Sequence, residues 1–322
     1  MARGAGSAAG IGTALLSAAT FGTSGSLATS LLRAGWTPDA VVIARVAIAA
    51  LLLAVPAAAV LRRSPGSPAQ LRASAGSILV YGAGAVAAAQ VCFFNAVRYV
   101  PVGVALLLEY LGIVLVVGWM WLRHRQVPRR LTVLGGGVVL AGLAFVLNLF
   151  GGTHLDPLGV VWGLGAAVGL AAYFVLSARA HDAVPPIVMA CAGMSVGAVV
   201  LVAVGVLGVL PLHAAFGSVT FAGHRTSWLV PVAGLSIVAA AIAYVAGIQA
   251  ARVLGPKLSS FVGLTEVLFA VLFAWALLGQ LPTWTQGFGG ALIVAGIVLV
   301  RLDESEPPLS AEPIPEPVQI AA

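Results

Sequence analysis

Long apolar runs alternate along the chain with short gaps of charges, prolines and polar clusters. Ten runs stand out, at about 8–32, 38–61, 76–97, 101–122, 131–150, 158–178, 186–210, 229–250, 258–279 and 284–301. A membrane-crossing helix needs about 20 predominantly apolar residues, and these runs have that length. Barrel strands would be half as long and would alternate, so the pattern predicts an all-α membrane protein with ten transmembrane helices. The third and fourth are separated by little more than Arg98, Tyr99, Val100 and Pro101. The first run follows Arg3 as a signal peptide would, but its length exceeds that of an apolar signal core, so it reads as a retained span.

Composition agrees with this picture. Of 322 residues, 61% are hydrophobic and 8% charged, with a mean hydropathy of +1.08, which excludes an ordinary water-soluble domain. The net charge of +6 does not mark a nucleic-acid binder, because the basic residues sit in the gaps between apolar runs. With a cytoplasmic N-terminus, twelve of them fall inside, from Arg3 through Arg123, Arg125, Arg129, Arg130 and Lys257 to Arg301. Only Arg33, Arg98 and Arg225 fall outside. That bias predicts a multi-pass inner-membrane protein with both termini cytoplasmic. Cys92 and Cys191 lie within apolar runs and imply no disulfide framework.

The chain also resembles itself. At an offset of 154, Asn95-Ala96-Val97-Arg98 overlies Gln249-Ala250-Ala251-Arg252, and Gly135-Gly136 overlies Gly289-Gly290. A slip to 157 places Glu109 over Glu266, and an offset of 148 places Pro38 over Pro186. These matches divide the chain into one five-helix repeat at 8–150 and a second at 158–301. An odd number of helices per repeat inverts the second relative to the first, a construction of secondary transporters whose substrate site lies between the repeats. Residues 302–322, with five acidic side chains counting Asp303 and five prolines, read as a disordered cytoplasmic tail. The loop at about 211–228, with His213, His224 and Arg225, reads as carrying a short surface helix and no chemistry.

Three fully charged residues fall well inside the runs: Arg45, Glu109 and Glu266. Each is costly in hydrocarbon, so each asks for a function or a partner. Arg45 and Glu109 lie about 12 Å from the outer end of their helices at 1.5 Å per residue, so they are expected to approach each other. Glu266 lies nine residues into its helix from the inner end, with no cation at that depth. It is the candidate to carry a coupling proton, against the plainer role of a packing residue. Gln90, Asn95, Tyr110, Tyr244 and Gln249 are the polar neighbours able to line a pathway, the first four being candidates for substrate contact.

Glycines on helix 5 (Gly135, Gly136, Gly137, Gly142) and helix 10 (Gly287, Gly289, Gly290, Gly296) suit close backbone approach, either within the chain or across a homodimer. Gly22-Thr23-Ser24-Gly25 resembles the serine motif of rhomboid intramembrane proteases. A serine nucleophile needs a base, however, and all five histidines fall in gaps. There is no HExxH metal motif, P-loop or dinucleotide fingerprint, so neither an enzyme, a metal nor a cofactor is expected.

The ten helices in two repeats resemble the EamA-type branch of the drug/metabolite transporter superfamily. The stretch from Tyr99 to Gly112, YVPVGVALLLEYLG, is similar to a segment of its threonine/homoserine exporters. The stretch from Gly263 to Gln280 resembles the end-of-repeat signature of the family, and Arg45 suits its arginine early in helix 2. Ile113 and Val267 stand where the family often carries a proline near each glutamate, and Gln280 where it carries a glutamate closing helix 9, so helix breaks are expected to differ. The resemblance implies proton-coupled export of a small polar metabolite such as an amino acid. Arg45 would then hold its carboxylate, Glu109 its ammonium group and Glu266 the proton. The implied partners are substrate, protons and lipid. Import or facilitated passage of another metabolite or drug is the alternative within transport, and a membrane scaffold or sensor the alternative outside it.

Overall fold

The computed structural model describes residues 2–63, 71–125, 127–149, 156–179, 184–208 and 210–305. Helices make up nearly all of it. They are α1 (Ala2–Arg33), α2 (Pro38–Arg63), α3 (Ala75–Ala96), α4 (Val102–Tyr110 continuing as Gly112–His124), α5 (Arg130–Val146), α6 (Pro157–Arg179) and α7 (Pro186–Val206). After them come α8 (Leu229–Gly263), α9 (Thr265–Leu278) and α10 (Trp284–Ser305). By length and apolarity, seven helices among the described residues suffice to cross a membrane, and α5 and α9 are shorter apolar helices.

The shorter and longer elements are explained by backbone breaks. A straight 35-residue α8 would be about 52 Å long, far beyond the ~30 Å hydrocarbon thickness. Gly255, at φ 77° and ψ 168°, interrupts it with a conformation that only glycine adopts readily, and Pro256 follows. The 256–263 segment then leads through Leu264 into α9. Wide-turn π-helical stretches occupy Tyr81–Ala88 in α3 and Ile237–Ile242 in α8, at corresponding places in the two halves of the chain.

α1 is rich in hydroxyls because it runs through the interior, against α8 and α9. Thr20 and Ser30 return their hydroxyls to carbonyls of their own helix, and Ser17 donates to the Ala243 carbonyl at 2.8 Å. That satisfies polar groups that hydrocarbon could not. One apolar core joins α2, α3, α6, α7 and α8 around Tyr81, Met189, Met194 and Leu201. Another joins α4, α5, the end of α8, α9 and α10 around Leu143, Phe261, Leu264 and Ile293.

The glycines of α5 and α10 meet within the chain. A Cβ on Gly142 would lie 2.6 Å from the Gly289 carbonyl oxygen, and one on Gly135 2.7 Å from that of Gly296. The reverse contacts are equally tight. The pairs that made these helices candidates for a homodimer seam are therefore used inside the chain.

The structure corrects two local expectations. The 211–228 loop carries no helix. Strands β1 (Ser218–Phe221) and β2 (His224–Ser227) form an antiparallel hairpin, turned by Ala222 and Gly223. Trp36 donates its indole N–H to the Ala215 carbonyl at 2.7 Å and packs with Phe216 and Trp228, while Thr37 and His213 exchange hydrogen bonds. The loop thus ties the α1–α2 turn to the start of α8. At the other end of the chain, α10 extends through Leu302 and Asp303 to Ser305, and Asp303 is 4% exposed. The first part expected as tail is therefore helix; 306–322 lies outside the described residues.

Replacing Gly142 by leucine should force the α5–α10 backbones apart and cost about 1–3 kcal/mol, as overpacking does. Thermal denaturation of the detergent-solubilised protein should show a lower midpoint for Gly142→Leu. Gly137→Leu, where nothing lies within 4 Å of an added Cβ, should leave it unchanged.

Candidate functional site

α1, α2, α3, α4, α6, α8 and α9 enclose a cavity of about 190 Å³. Its charged and polar lining includes Arg45, Glu109, Glu266, Gln90, Tyr110 and Tyr244. Six of the eight residues singled out from sequence therefore face one space, although they come from five helices, while Gln249 is exposed and does not line it. Asn95 stands apart: its amide donates to the Val91 carbonyl at 2.8 Å and its Oδ1 accepts from Arg98 at 3.3 Å, which ties it to the end of α3.

Arg45 is the centre of the arrangement. It is buried, and its Nη1 donates to Ser24 Oγ of α1 at 2.8 Å, while its Nε–H has no hydrogen-bond partner among the described residues. The Tyr244 hydroxyl lies beside the same guanidinium. Both Glu109 and Glu266 lie within its electrostatic reach and that of each other. This corrects the expectation that Glu266 has no cation at its depth. Depth counted along each helix separately missed the fact that α2 and α9 converge on one cavity.

Ser24 was legible only as part of a serine motif. In the folded chain it accepts a hydrogen bond from arginine, and Gly22 beside it brings α1 against α9. A Cβ on Gly22 would lie 3.0 Å from the Glu266 carbonyl oxygen and 2.7 Å from Phe269 Cβ. One turn of α1 thus touches both the arginine and the helix carrying the second carboxyl.

The helix tightens locally next to each glutamate without any proline, the backbone staying in the right-handed helical region. α4 tightens at Leu111, whose N–H is shared between the carbonyls of Leu107 and Leu108. The corresponding turn at Leu264 precedes Glu266, with the Leu264 N–H bonded to Phe261. A glycine adjoins each tightened turn and both pack on α6: Gly112 against Ala167 and Leu170, and Gly263 against Phe174. Close contact with α6 accompanies these turns where the sequence offered only Ile113 and Val267.

Sequence reasoning also missed the aromatic wall. Phe21, Tyr244, Tyr173 and Phe174 follow one another edge to face, at centroid distances of 5.0–5.6 Å. All four line the cavity with Phe93, Ser17, Ser259 and Ser260. In sequence they are aromatic and small polar residues scattered over several apolar runs, without a shared period. Gly247 leaves the space that the Tyr173 hydroxyl and Ser17 occupy.

The two ends of the bundle differ. A cleft sharing Phe21, Ser24, Leu106, Tyr110 and Glu266 with the cavity continues past Thr29, Leu147 and Leu278 to Gln280, Thr283 and Gln286. It leads to the end where α1 and α9 finish and α10 begins. At the opposite end, near the start of α1 and the end of α10, Gly10 of α1 packs on Val253 and Leu254, and Lys257 lies 3.7 Å from Asp303. Among the described residues, no group of three or more His, Cys, Asp or Glu side chains is placed to hold a metal ion.

Comparison with known proteins places this geometry. A crystal structure superposes with a TM-score of 0.72 over 92% of this chain and 97% of its own, at 20% identity, so the two share a fold. An uncharacterized transporter of Archaeoglobus fulgidus is 27% identical over 207 residues, which span 64% of this chain and 70% of that protein. The model of the EamA-like transporter family matches residues 8–148 and again 157–302. This multi-pass membrane protein belongs to the EamA-like transporter family.

Proposed function

We propose that the chain is a secondary transporter that exports a small zwitterion, such as an amino acid, in exchange for protons. The observation that carries this reading is one arginine and two carboxyls sharing an aromatic-walled cavity that continues as a cleft towards the end where α10 begins. Support for two inverted five-helix repeats comes from the two successive stretches matched by the family model, and from matching backbone features in α3 and α8 and beside the two glutamates. With the termini in the cytoplasm, as the arginine distribution favours, the cavity is drawn in its outward-open state.

The charges suggest how exchange works. A carboxylate away from water requires compensation, and one guanidinium serves two here. With a proton on Glu266, Arg45 is left to Glu109. Once that proton leaves, Arg45 is drawn towards Glu266, and Glu109 becomes free to take an ammonium group. The substrate carboxylate then meets the unpartnered N–H of Arg45. Proton and substrate therefore alternate in the cavity without any covalent step, and rocking of the two halves around it carries each across. The protein holds this balance in the bilayer of the cell, and no enzymatic role is assigned to it.

A specific observation favours a second reading. Two carboxyls against one guanidinium, walled by Tyr244, Tyr173 and Phe21, also suit an organic cation held over aromatic faces.

Sealed vesicles loaded with the twenty protein amino acids, with substrate leaving followed by mass spectrometry under an imposed pH gradient, should lose one or a few of them. Movement of tetraphenylphosphonium with no amino acid moving would instead select the cation reading, and movement of neither would leave a scaffold or sensor. Arg45→Ala should slow transport about 10–100-fold at normal membrane abundance, the effect of losing one or two charged hydrogen bonds of about 1.5–3 kcal/mol. Transport at the parental rate would remove Arg45 from the substrate site. Glu266→Gln should keep substrate exchange at equal pH and lose accumulation driven by the gradient. Unchanged accumulation would return Glu266 to a packing role.

A further inference from the structure

We infer that Lys257, Asp303, Thr132 and Arg129 form the gate that closes the cavity at the end of the bundle where α1 begins and α10 finishes. They lie on three elements: the helix segment after the Gly255 break, the end of α10, and the start of α5. Lys257 Nζ stands 3.7 Å from Asp303 Oδ2 and donates to Thr132 Oγ1 at 3.0 Å. The Thr132 hydroxyl in turn donates to the same Asp303 oxygen. Arg129 Nη1 donates to the Asp303 carbonyl oxygen at 3.1 Å. Thr132 is 1% exposed and Asp303 4%, so the ion pair is bridged and shielded by a buried hydroxyl.

The place of this cluster gives it a role beyond fastening helix ends. Lys257 follows Gly255 by two residues, where the backbone leaves the helical conformation. Ser259 and Ser260, two and three residues further on, are buried and line the cavity. At Leu264 the helix tightens to a three-residue turn, its backbone still right-handed helical at φ −61° and ψ −19°, and Glu266 follows. Residues 256–263 are thus a short helical piece between the break at Gly255 and the tightened turn at Leu264, with the polar cluster at one end and the carboxyl site at the other. Nine residues of helix place them about 13 Å apart. Held to α5 and α10 by Lys257, this piece floors the cavity; released, it turns about Gly255 and opens the floor. A hydroxyl-bridged pair suits a gate, because it is strong enough to hold one state and polar enough to be exchanged for water in the other.

The inference rests on the alternating-access reading, but its test reads accessibility rather than transport, so the two fail separately. In a chain with Cys92→Ser and Cys191→Ser, Ser260→Cys provides a label site on the floor. A membrane-impermeant maleimide is applied to sealed vesicles from the side where α1 begins and α10 finishes. With the cluster intact, labelling should be slow. Asp303→Asn should speed it about tenfold or more, the effect of losing a charged hydrogen bond of about 1.5–3 kcal/mol. A second site, Ala274→Cys in the opposite cleft, should become correspondingly slower from the other side. The exchange Lys257→Asp with Asp303→Lys should restore the slow rate at Ser260→Cys. Thr132→Val, which removes only the bridging hydroxyl, should give a smaller increase and serves where Asp303→Asn does not yield monodisperse protein. Unchanged labelling at Ser260→Cys in a folded variant would make the cluster a static staple. Faster labelling at both sites at once would show that it holds the fold together and does not alternate, which would also overturn the inference.

Discussion

The sharing of Arg45 by two carboxyls in a space away from water is the constraint on which the site depends. A guanidinium in the interior must find acceptors for its N–H groups and counter-charge for its cation. Ser24 supplies an acceptor that leaves the positive charge uncancelled, and Tyr244 lies against the same group. Glu109 and Glu266 supply the counter-charge from helices on two sides. Because the cation is one and the carboxyls are two, the cavity is never satisfied by its own side chains alone. In the proposed exchange, that shortfall is the opening for a proton or an ammonium group.

Keeping these groups within reach of each other demands close packing, and glycine provides it at selected points. Gly22 lets α1 rest on the backbone of α9 beside Glu266, while Gly112 and Gly263 let the two tightened turns lie on α6. The paired glycines of α5 and α10 do comparable work away from the cavity. They lock two helices together by backbone contact, where lipid on the outside gives no hydrophobic drive for association. A firm α5–α10 pair also gives the Lys257 segment something fixed to close against.

The two ends of the bundle are fastened by different chemistry. At one end a hairpin and three aromatic rings hold the α1–α2 turn to α8, leaving the cleft beside α9 and α10 open. At the other, a charged pair and a buried hydroxyl join α5, α10 and the segment after Gly255. Aromatic packing next to a hydrogen-bonded strand ladder is permanent architecture. Polar contacts that water can replace are suited to breaking and reforming.

The sequence by itself determined that the chain is built of apolar, membrane-crossing helices and which residues inside them needed an explanation. Both follow from one rule that local composition obeys, since a long apolar run must be helical in a bilayer and a charge within it is costly. Arg45, Glu109 and Glu266 were conspicuous for that reason, and Gln90, Tyr110 and Tyr244 could be named as polar neighbours. What it could not determine was convergence. Glu266 was assigned no cation because depth along a helix says nothing of which helices face each other. Asn95 was grouped with the cavity although its amide turns back on α3. The tightened turns at Leu111 and Leu264 had no proline to announce them, and the aromatic wall is assembled from residues far apart in the chain. Asp303 read as the first acidic residue of a tail, since an aspartate beside prolines and glutamates carries no local sign that Lys257 and Thr132 wait for it. Most of these features were decided by tertiary structure, because the groups that meet lie on different helices whose placement and rotation only packing fixes.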